Sequence, residues 1–556
     1  MNVTYLSPSI QKTKKFFLFC RCRNPSCVLN THYSGGSPIA MNDIFNRRQC
    51  EMCGKSLLAM YSPASYAHVY CRDCWYSDKW DPLQYGRDYN PNRPFFDQWL
   101  DLMKQVPNFN VFQIGNVVNS IYTNFTWNSK DCYLSFSCLK SEGCVYNKNN
   151  DQCRDCVDNI FIHSSELLYD CVYARESFKS AFLTRCERCS DCYFGRDLAD
   201  CHDCFGCVNL KHKRFYWYNE ALSETKYKRR LKEALKDRTS IQQHRQRFSE
   251  HAKQFLVEYA VIRKSENCSG DGIFNAVNVR YSFGLQDSEN IGDAYRITYQ
   301  TKNAYRVSNA GFIENMYEYI GGGLTTSYTL CSMMAEGCSF MAYSFFCANC
   351  DNIFGCVGLR KKKFCVLNKQ YTQEEYERLR QQIVTNMQQC DEWGEFPPVK
   401  YSPHAYNDSA AIELFPLTRE EVLAKGWQFE NNHGGIRGKE TLSIEHIPAS
   451  IKQTSSDITK AILVCATCDL NYRIQPKELQ VLRTLSLPLP KICPECRLNE
   501  RLSRIPFPRL YQRQCDCSRK HPAHTNKRCP TEFETTYAPE RPEKVFCNLC
   551  YQQEIV

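Results

Sequence analysis

No run of apolar residues in this 556-residue chain approaches 18, so no membrane-crossing helix is expected. The segment KTKKFFLFCRC beginning at Lys12 holds only five consecutive apolar residues, too few for the core of an export signal. The expectation is a soluble, cytoplasmic protein with no membrane partner. Common catalytic signatures are missing too. There is no HExxH, no GxxxxGKS/T and no GxSxG, and the GGG at Gly321 has no dinucleotide-binding context. No small-molecule substrate is evident.

What the chain has in quantity is cysteine, with 36 residues, and tyrosine, with 34. In a reducing cytosol, cysteines spaced as CxxC are more often zinc ligands than disulfide partners. The length suits roughly three to five domains at ~100–200 residues each. A net charge of +10 favours polyanionic partners only weakly at this size, so the placement of the basic residues matters more.

The chain repeats itself. At a constant offset of 149, Phe205, Gly206, Cys207, Val208, Leu210, Lys213, Phe215, Asn219, Tyr227 and Arg229 recur as Phe354, Gly355, Cys356, Val357, Leu359, Lys362, Phe364, Asn368, Tyr376 and Arg378. Ten ungapped matches mark a duplication, and each copy reads as the closing element of a repeated module. Before the first copy, short segments recur at about twelve residues: DCYLSF at Asp131, GCVYNK at Gly143, DCVDNI at Asp155, DCVYAR at Asp170, DCYFGR at Asp191 and DCFGCV at Asp203. A fainter series precedes the second copy. Short strands with tight turns, stacked coil on coil, predict a parallel β-solenoid. Period-two alternation at Cys192, Phe194 and Arg196 is the expected strand pattern. Most cysteines here are read as small core residues. The dense cluster Cys186, Cys189, Cys192, Cys201, Cys204 and Cys207 is an alternative metal site.

Four-cysteine patterns lie outside the repeats. Cys50 and Cys53 with Cys71 and Cys74 form one zinc-ribbon pattern, and Cys465 and Cys468 with Cys493 and Cys496 form another. A third follows from a second internal match. At an offset of 476, Tyr61, Pro63, Val69, Cys71 and Cys74 fall on Tyr537, Pro539, Val545, Cys547 and Cys550, and Cys53 falls on Cys529. The remaining ligand must come from Cys515 or Cys517; Cys517 is the residue expected there, with His521 and His524 as weaker alternatives. Cys20, Cys22, Cys27 and His32 are candidates for a further site. The cofactor expected is Zn²⁺, with about three structural ions and more if the additional candidates bind.

Basic residues cluster after each module. Lys211, Lys213 and Arg214, then Lys228, Arg229 and Lys232 on a helix-like run, follow the first; Arg360, Lys361, Lys362 and Lys363 close the second. Clustered Lys and Arg suit a nucleic-acid backbone, RNA or DNA. The competing description is a solvated helix face.

The motif order resembles a family of uncharacterised cysteine-rich, multi-zinc-ribbon proteins predicted from small-genome candidate-phylum bacteria. It comprises VYCRDCWYSDKWDPLQYGRDY, PFFDQW, FGCVGLRKKKFCVLNKQYTQEEYERL, AYNDSAAIELFPLTREE, CPECR and ETTYAPERPEKVFCNLCYQQE. The resemblance spans nearly the whole chain and implies ribbons at both ends, without an activity. Where such proteins carry a full amino-terminal ribbon, this chain has CRCRNPSC.

The expected architecture is mainly β with some α. Residues 1–110 form an amino-terminal ribbon region, 111–263 a first solenoid module with a basic capping helix, and 264–390 a second. Residues 391–440 are a linker with a short helix, 441–505 a ribbon and 506–556 the carboxy-terminal ribbon. The function expected is a non-enzymatic zinc-binding scaffold contacting nucleic acid. One alternative is a protein-interaction platform using the solenoid face. The other is a His-Asn-His-type nuclease with His446 as general base and Asn471 as a positioning residue.

Overall fold

The structure, a computed structural model, describes residues 45–555 except 298, 323–324, 410, 432–434, 507, 521, 523 and 525–527. The expected site at Cys20, Cys22, Cys27 and His32 lies outside the described residues, as does His521.

The molecule is built on two stacks of parallel coils. The first runs from strand Gln113–Ile114 to strand Glu220–Ala221, the second from Ile262–Arg263 to Lys369–Gln370. In the first stack Thr123 pairs with Ser135, Phe136 with Lys148, Lys148 with Ile160, Ile160 with Val172, and Val172 with Thr184. One coil is therefore twelve residues.

The twelve divide by three. From Asp131 to Tyr218 nearly every third residue has left-handed backbone, as at Asp131 (φ 53°), Leu134 (42°), Ser137 (54°) and Lys140 (45°). Four three-residue sides close each coil, and the residue after each corner points inward. Every third residue from Cys132 to Leu210 is accordingly buried. This replaces the expected alternation: with a left-handed residue at each corner, the side-chain period is three rather than two. It also explains the DC motif, in which Asp turns the corner and Cys fills the interior. Asp, Asn and Gly tolerate left-handed backbone; for most other residues it costs about 1–2 kcal/mol.

Inward side chains offset that cost by bonding the backbone of the next coil. Ser141 Oγ accepts the N–H of Cys153 at 3.2 Å, Asn159 Oδ1 that of Cys171 at 2.8 Å, and Ser180 Oγ that of Cys192 at 3.0 Å. Thiols donate outward to carbonyls: Cys156 to Arg154 and Ser165 at 3.3 and 3.6 Å, Cys201 to Ala199 and Leu210 at 3.3 and 3.4 Å. Burial pushes the Cys171 thiol up to about 12, so it stays protonated and remains a donor.

Outside, residues twelve apart form ladders. Arg185–Asp197 and Arg188–Asp200 pair at 2.8 and 2.6 Å, and Phe205 stacks on Trp217 at 4.2 Å. The second stack is less regular, with an eleven-residue step at Ile262↔Ile273 and thirteen-residue steps at Ser288↔Thr301 and Ile313↔Thr326. There Asn267, Asn278, Asn290, Asn303 and Asn315 bond in series at 2.8–3.1 Å along one left-handed corner.

The duplicated block ends each stack. Asn219 and Asn368 take both backbone groups of Val208 and Val357, at 2.7–2.9 Å, where the next coil would have bonded. A helix then covers the last coil: Glu224–Ala234, continued by Arg238–Lys253, after the first stack, and Gln373–Gln389 after the second. Ser223 caps the first, and Thr372 with Glu375 forms a capping box on the last.

The stacks lie side by side and antiparallel. Phe112 and Phe125, near the start of the first, share a core with Met333 and Tyr343 late in the second. Further along, Arg296 covers Phe161 at 4.9 Å and Arg175 bonds Gln286 at 3.0 Å.

Asn159→Leu orphans the N–H of Cys171 and removes the second donor to the carbonyls of Val157 and Leu168, which keep their backbone partners at 3.2 and 2.8 Å. It should destabilise the chain by about 1–3 kcal/mol, read as a fall in urea midpoint, whereas Asn159→Ser should retain most of the stability.

Candidate metal centres

Three four-thiol clusters form among the described residues: Cys50, Cys53, Cys71 and Cys74; Cys465, Cys468, Cys493 and Cys496; and Cys515, Cys529, Cys547 and Cys550. In each the four sulfurs lie within 4.8 Å of one another. Cys53–Cys71, Cys465–Cys496, Cys468–Cys493 and Cys529–Cys547 are 3.8, 3.8, 3.7 and 3.9 Å apart. Four thiolates about 2.3 Å from a tetrahedral ion stand about 3.8 Å apart. A disulfide would bring two of them to about 2.05 Å.

The clusters share one local design. The third cysteine is the N-cap of a short helix and the fourth lies in its first turn, as in Arg72–Trp75, Pro494–Leu502 and Asn548–Glu554. That places two sulfurs at a helix N-terminus, where negative charge is favoured. The third cysteine also donates its backbone N–H to the sulfur of the first, Cys71 to Cys50, Cys493 to Cys465 and Cys547 to Cys515, each at 3.2 Å. Burial works to raise the Cys50 and Cys465 thiols, but these and neighbouring backbone N–H groups outweigh it and bring both down to about 7.

The same contact identifies Cys515 as the counterpart of Cys50. Cys517, expected in that place, instead comes together with His524 and Cys550. The solenoid cysteines Cys186 to Cys207 are buried and bonded to carbonyls. Among the described residues they enter no metal-ligand group.

Two ribbons dock in equivalent ways. Val69–Tyr70 pairs in parallel with Asn108–Phe109, and Val545–Phe546 with Val257–Glu258; the offsets of 476 and 149 carry one pairing onto the other. Each ribbon also reaches the far end of the opposite stack. Trp75 lies against Gly358, where a Cβ would meet its ring at 2.9 Å, and Tyr551, its counterpart, bonds Asn209 at 3.2 Å. Each of these ribbons thus joins the start of one stack to the end of the other.

The Cys465 ribbon docks differently, on a face of the first stack, through buried charge. Arg497 meets Asp158 and Glu478 at 2.6 and 2.7 Å, and Arg501 meets Asp158 at 2.9 Å. Burial raises the Glu478 carboxyl, with Arg497 opposing it. In the same region His446 is exposed and bonds Ser443, while Asn471 bonds Lys439 and Glu440; neither joins a metal-ligand group among the described residues.

The basic residues are partly engaged. Lys211 bonds Gln552, Arg214 pairs with Asp203, Lys228 with Glu224 and, at 3.9 Å, Lys363 with Asp351. Arg360 lies over Trp80, and burial lowers its pKa. Lys213 and Lys362 are half-buried, and Arg229, Lys232 and Lys361 are exposed.

No family model and no curated protein matches the chain. Among solved structures, a protein described as an acetyltransferase from Desulfovibrio desulfuricans G20 aligns at 12% identity over 42% of this chain. The alignment spans 63% of that protein, with a TM-score of 0.09. A UDP-N-acetylglucosamine acyltransferase from Campylobacter jejuni aligns at 10% identity over 53% of this chain and 95% of its own, also at 0.09. Likeness at that level carries no assignment of fold or activity.

Asp158→Ala strips buried Arg501 of its paired carboxylate, leaves Arg497 with Glu478 alone, and should loosen the Cys465 ribbon by about 3–5 kcal/mol, seen as faster proteolysis of that region than in the parent chain. Separately, His404 is buried against Tyr61 at 4.9 Å, and burial lowers it from 6.5 to about 4. It is neutral when folded and takes a proton on unfolding. Its contribution of about 3 kcal/mol is complete above pH 6.5 and lost as pH falls toward about 4. His404→Phe should flatten the stability–pH curve in that window.

Proposed function

We propose that this chain is a non-enzymatic scaffold in which three structural zinc ions clamp an antiparallel pair of coil stacks, and whose first cap contacts nucleic-acid backbone. The observation that carries the clamp is the repetition of one four-thiol geometry at both stack ends and under the docked ribbon. A tetrahedral ion held by four thiolates has no position left for substrate. Structural zinc contributes about 10–16 kcal/mol of binding free energy in small domains. Chelation should therefore separate the ribbons from the stacks while the coils keep their strand content by circular dichroism.

The nucleic-acid part rests on the first cap. Helix Glu224–Ala234 carries Lys226, Lys228, Arg229, Arg230 and Lys232 against Glu224 and Glu233. Its apolar side, Tyr227 and Ala234, is buried, which turns Lys228, Arg229 and Lys232 to solvent. The second cap helix has no such excess, with Glu374, Glu375 and Glu377 beside Arg378 and Arg380. The contact is therefore assigned to the first cap ahead of Arg360–Lys363. The protein-platform alternative has less open surface than an isolated solenoid offers, because the stacks cover one another and the Cys465 ribbon covers a further face of the first.

A gel-shift titration over salt concentration tests this. Binding to duplex should weaken steeply with salt. Combined Lys228→Ala, Arg229→Ala and Lys232→Ala should reduce the log–log slope by about 2–3, and the matching change at Lys361–Lys363 should reduce it less. No binding at low salt would remove the nucleic-acid assignment and leave the metal scaffold standing.

A further inference from the structure

In the first and second ribbons the opening pair of ligands is three residues apart, as in Cys50–Cys53 and Cys465–Cys468. In the third, Cys515 and Cys529 are fourteen apart. The intervening residues are an insertion into the knuckle, and they carry Cys517, His521 and His524. Cys517 and His524 fold back so that their ligand atoms and the Cys550 sulfur all lie within 4.8 Å of one another. All three residues are buried, at 0%, 8% and 0% exposure. Cys550 is simultaneously a member of the four-thiol cluster.

We propose that this insertion builds a second metal position, ligated by Cys517, His524 and Cys550, so that the carboxy-terminal ribbon holds a pair of ions bridged by the Cys550 thiolate. This rests on the reading that the four-thiol cluster binds metal. The donors, two sulfurs and an imidazole nitrogen, suit zinc. A thiolate has lone pairs for two ions, and one bound at about 2.3 Å to each sets them roughly 3.5–4 Å apart, the separation of two-metal centres. Sharing also lowers the buried charge: four thiolates on one divalent ion leave a net −2, and a second ion bound together with the Cys517 thiolate leaves −1. Binding releases the thiol proton of Cys517 to solvent, and no redox step is involved. The described residues supply three ligands to this ion, which makes it the more exchangeable of the pair.

The test is metal content of the full-length chain, purified with reductant and analysed for zinc per polypeptide, in the parent and in Cys517→Ser and His524→Ala. The parent should hold one ion more than either variant. In cobalt-loaded parent chain, the shared sulfur should couple the two ions and depress the paramagnetic resonance intensity per cobalt, with full intensity restored in His524→Ala. Should Cys517→Ser fail to fold, His524→Ala and the cobalt signal carry the test alone. Equal zinc content in parent and His524→Ala, with uncoupled cobalt in both, overturns the paired site while leaving the three-ion clamp intact. A parent chain without zinc overturns both.

Discussion

The structure depends on hydrogen bonds made inside the coils. A coil of twelve residues is so narrow that backbone groups at each side face its interior, where no water competes. An unpaired buried N–H or C=O costs about 1–3 kcal/mol. Most sides of the first stack accordingly place a small residue with its own donor or acceptor at the inward position, with Ile162, Leu168, Ala174, Leu183 and Leu198 as apolar exceptions. Serine, asparagine and cysteine meet that requirement, and they fill most of the first stack between Cys132 and Cys207. The same requirement fixes the register: shifting by one residue would put corner residues such as Arg185 or Arg188 into a space that holds a thiol.

Cysteine consequently has two unrelated roles here. In the coils it is a compact core residue that donates to backbone carbonyls, and burial raises thiols such as Cys156, Cys171 and Cys192. In the ribbons two of each four cysteines lie at a helix N-terminus, and the backbone N–H of the third points at the sulfur of the first, which favours the thiolate that a metal requires. Both roles produce the CxxC spacing, since three residues is one side of a coil as well as one knuckle. Spacing alone cannot separate them. The neighbours can: a left-handed residue, most often Asp or Gly, precedes each coil cysteine from Cys132 to Cys207, whereas in two ribbons a helix-starting Pro or Arg follows the third ligand, as at Pro494 and Arg72.

Much of this architecture was legible in the chain itself. The offset of 149 marked the two closing blocks, and the offset of 476 marked the third ribbon before its geometry was seen. The triplet was legible too, though it was not the period expected: all twelve cysteines from Cys132 to Cys207 are separated by multiples of three. An expectation of alternating strands hides that signal, because ordinary strands lack left-handed corners. The choice of Cys515 over Cys517 was not legible, since it depends on which sulfur meets the N–H of Cys547 after a loop has folded back. Nor was the engagement of Arg214 by Asp203 or of Arg360 by Trp80, which adjacency in space alone creates.

The most direct test of this division of labour is residue-resolved alkylation of the native chain, read by mass spectrometry before and after a strong chelator. The twelve cysteines of the three clusters should become reactive on chelation, while Cys132 to Cys207 stay protected until the coils are denatured. Coil cysteines that react in step with the clusters once metal is withdrawn would contradict the account.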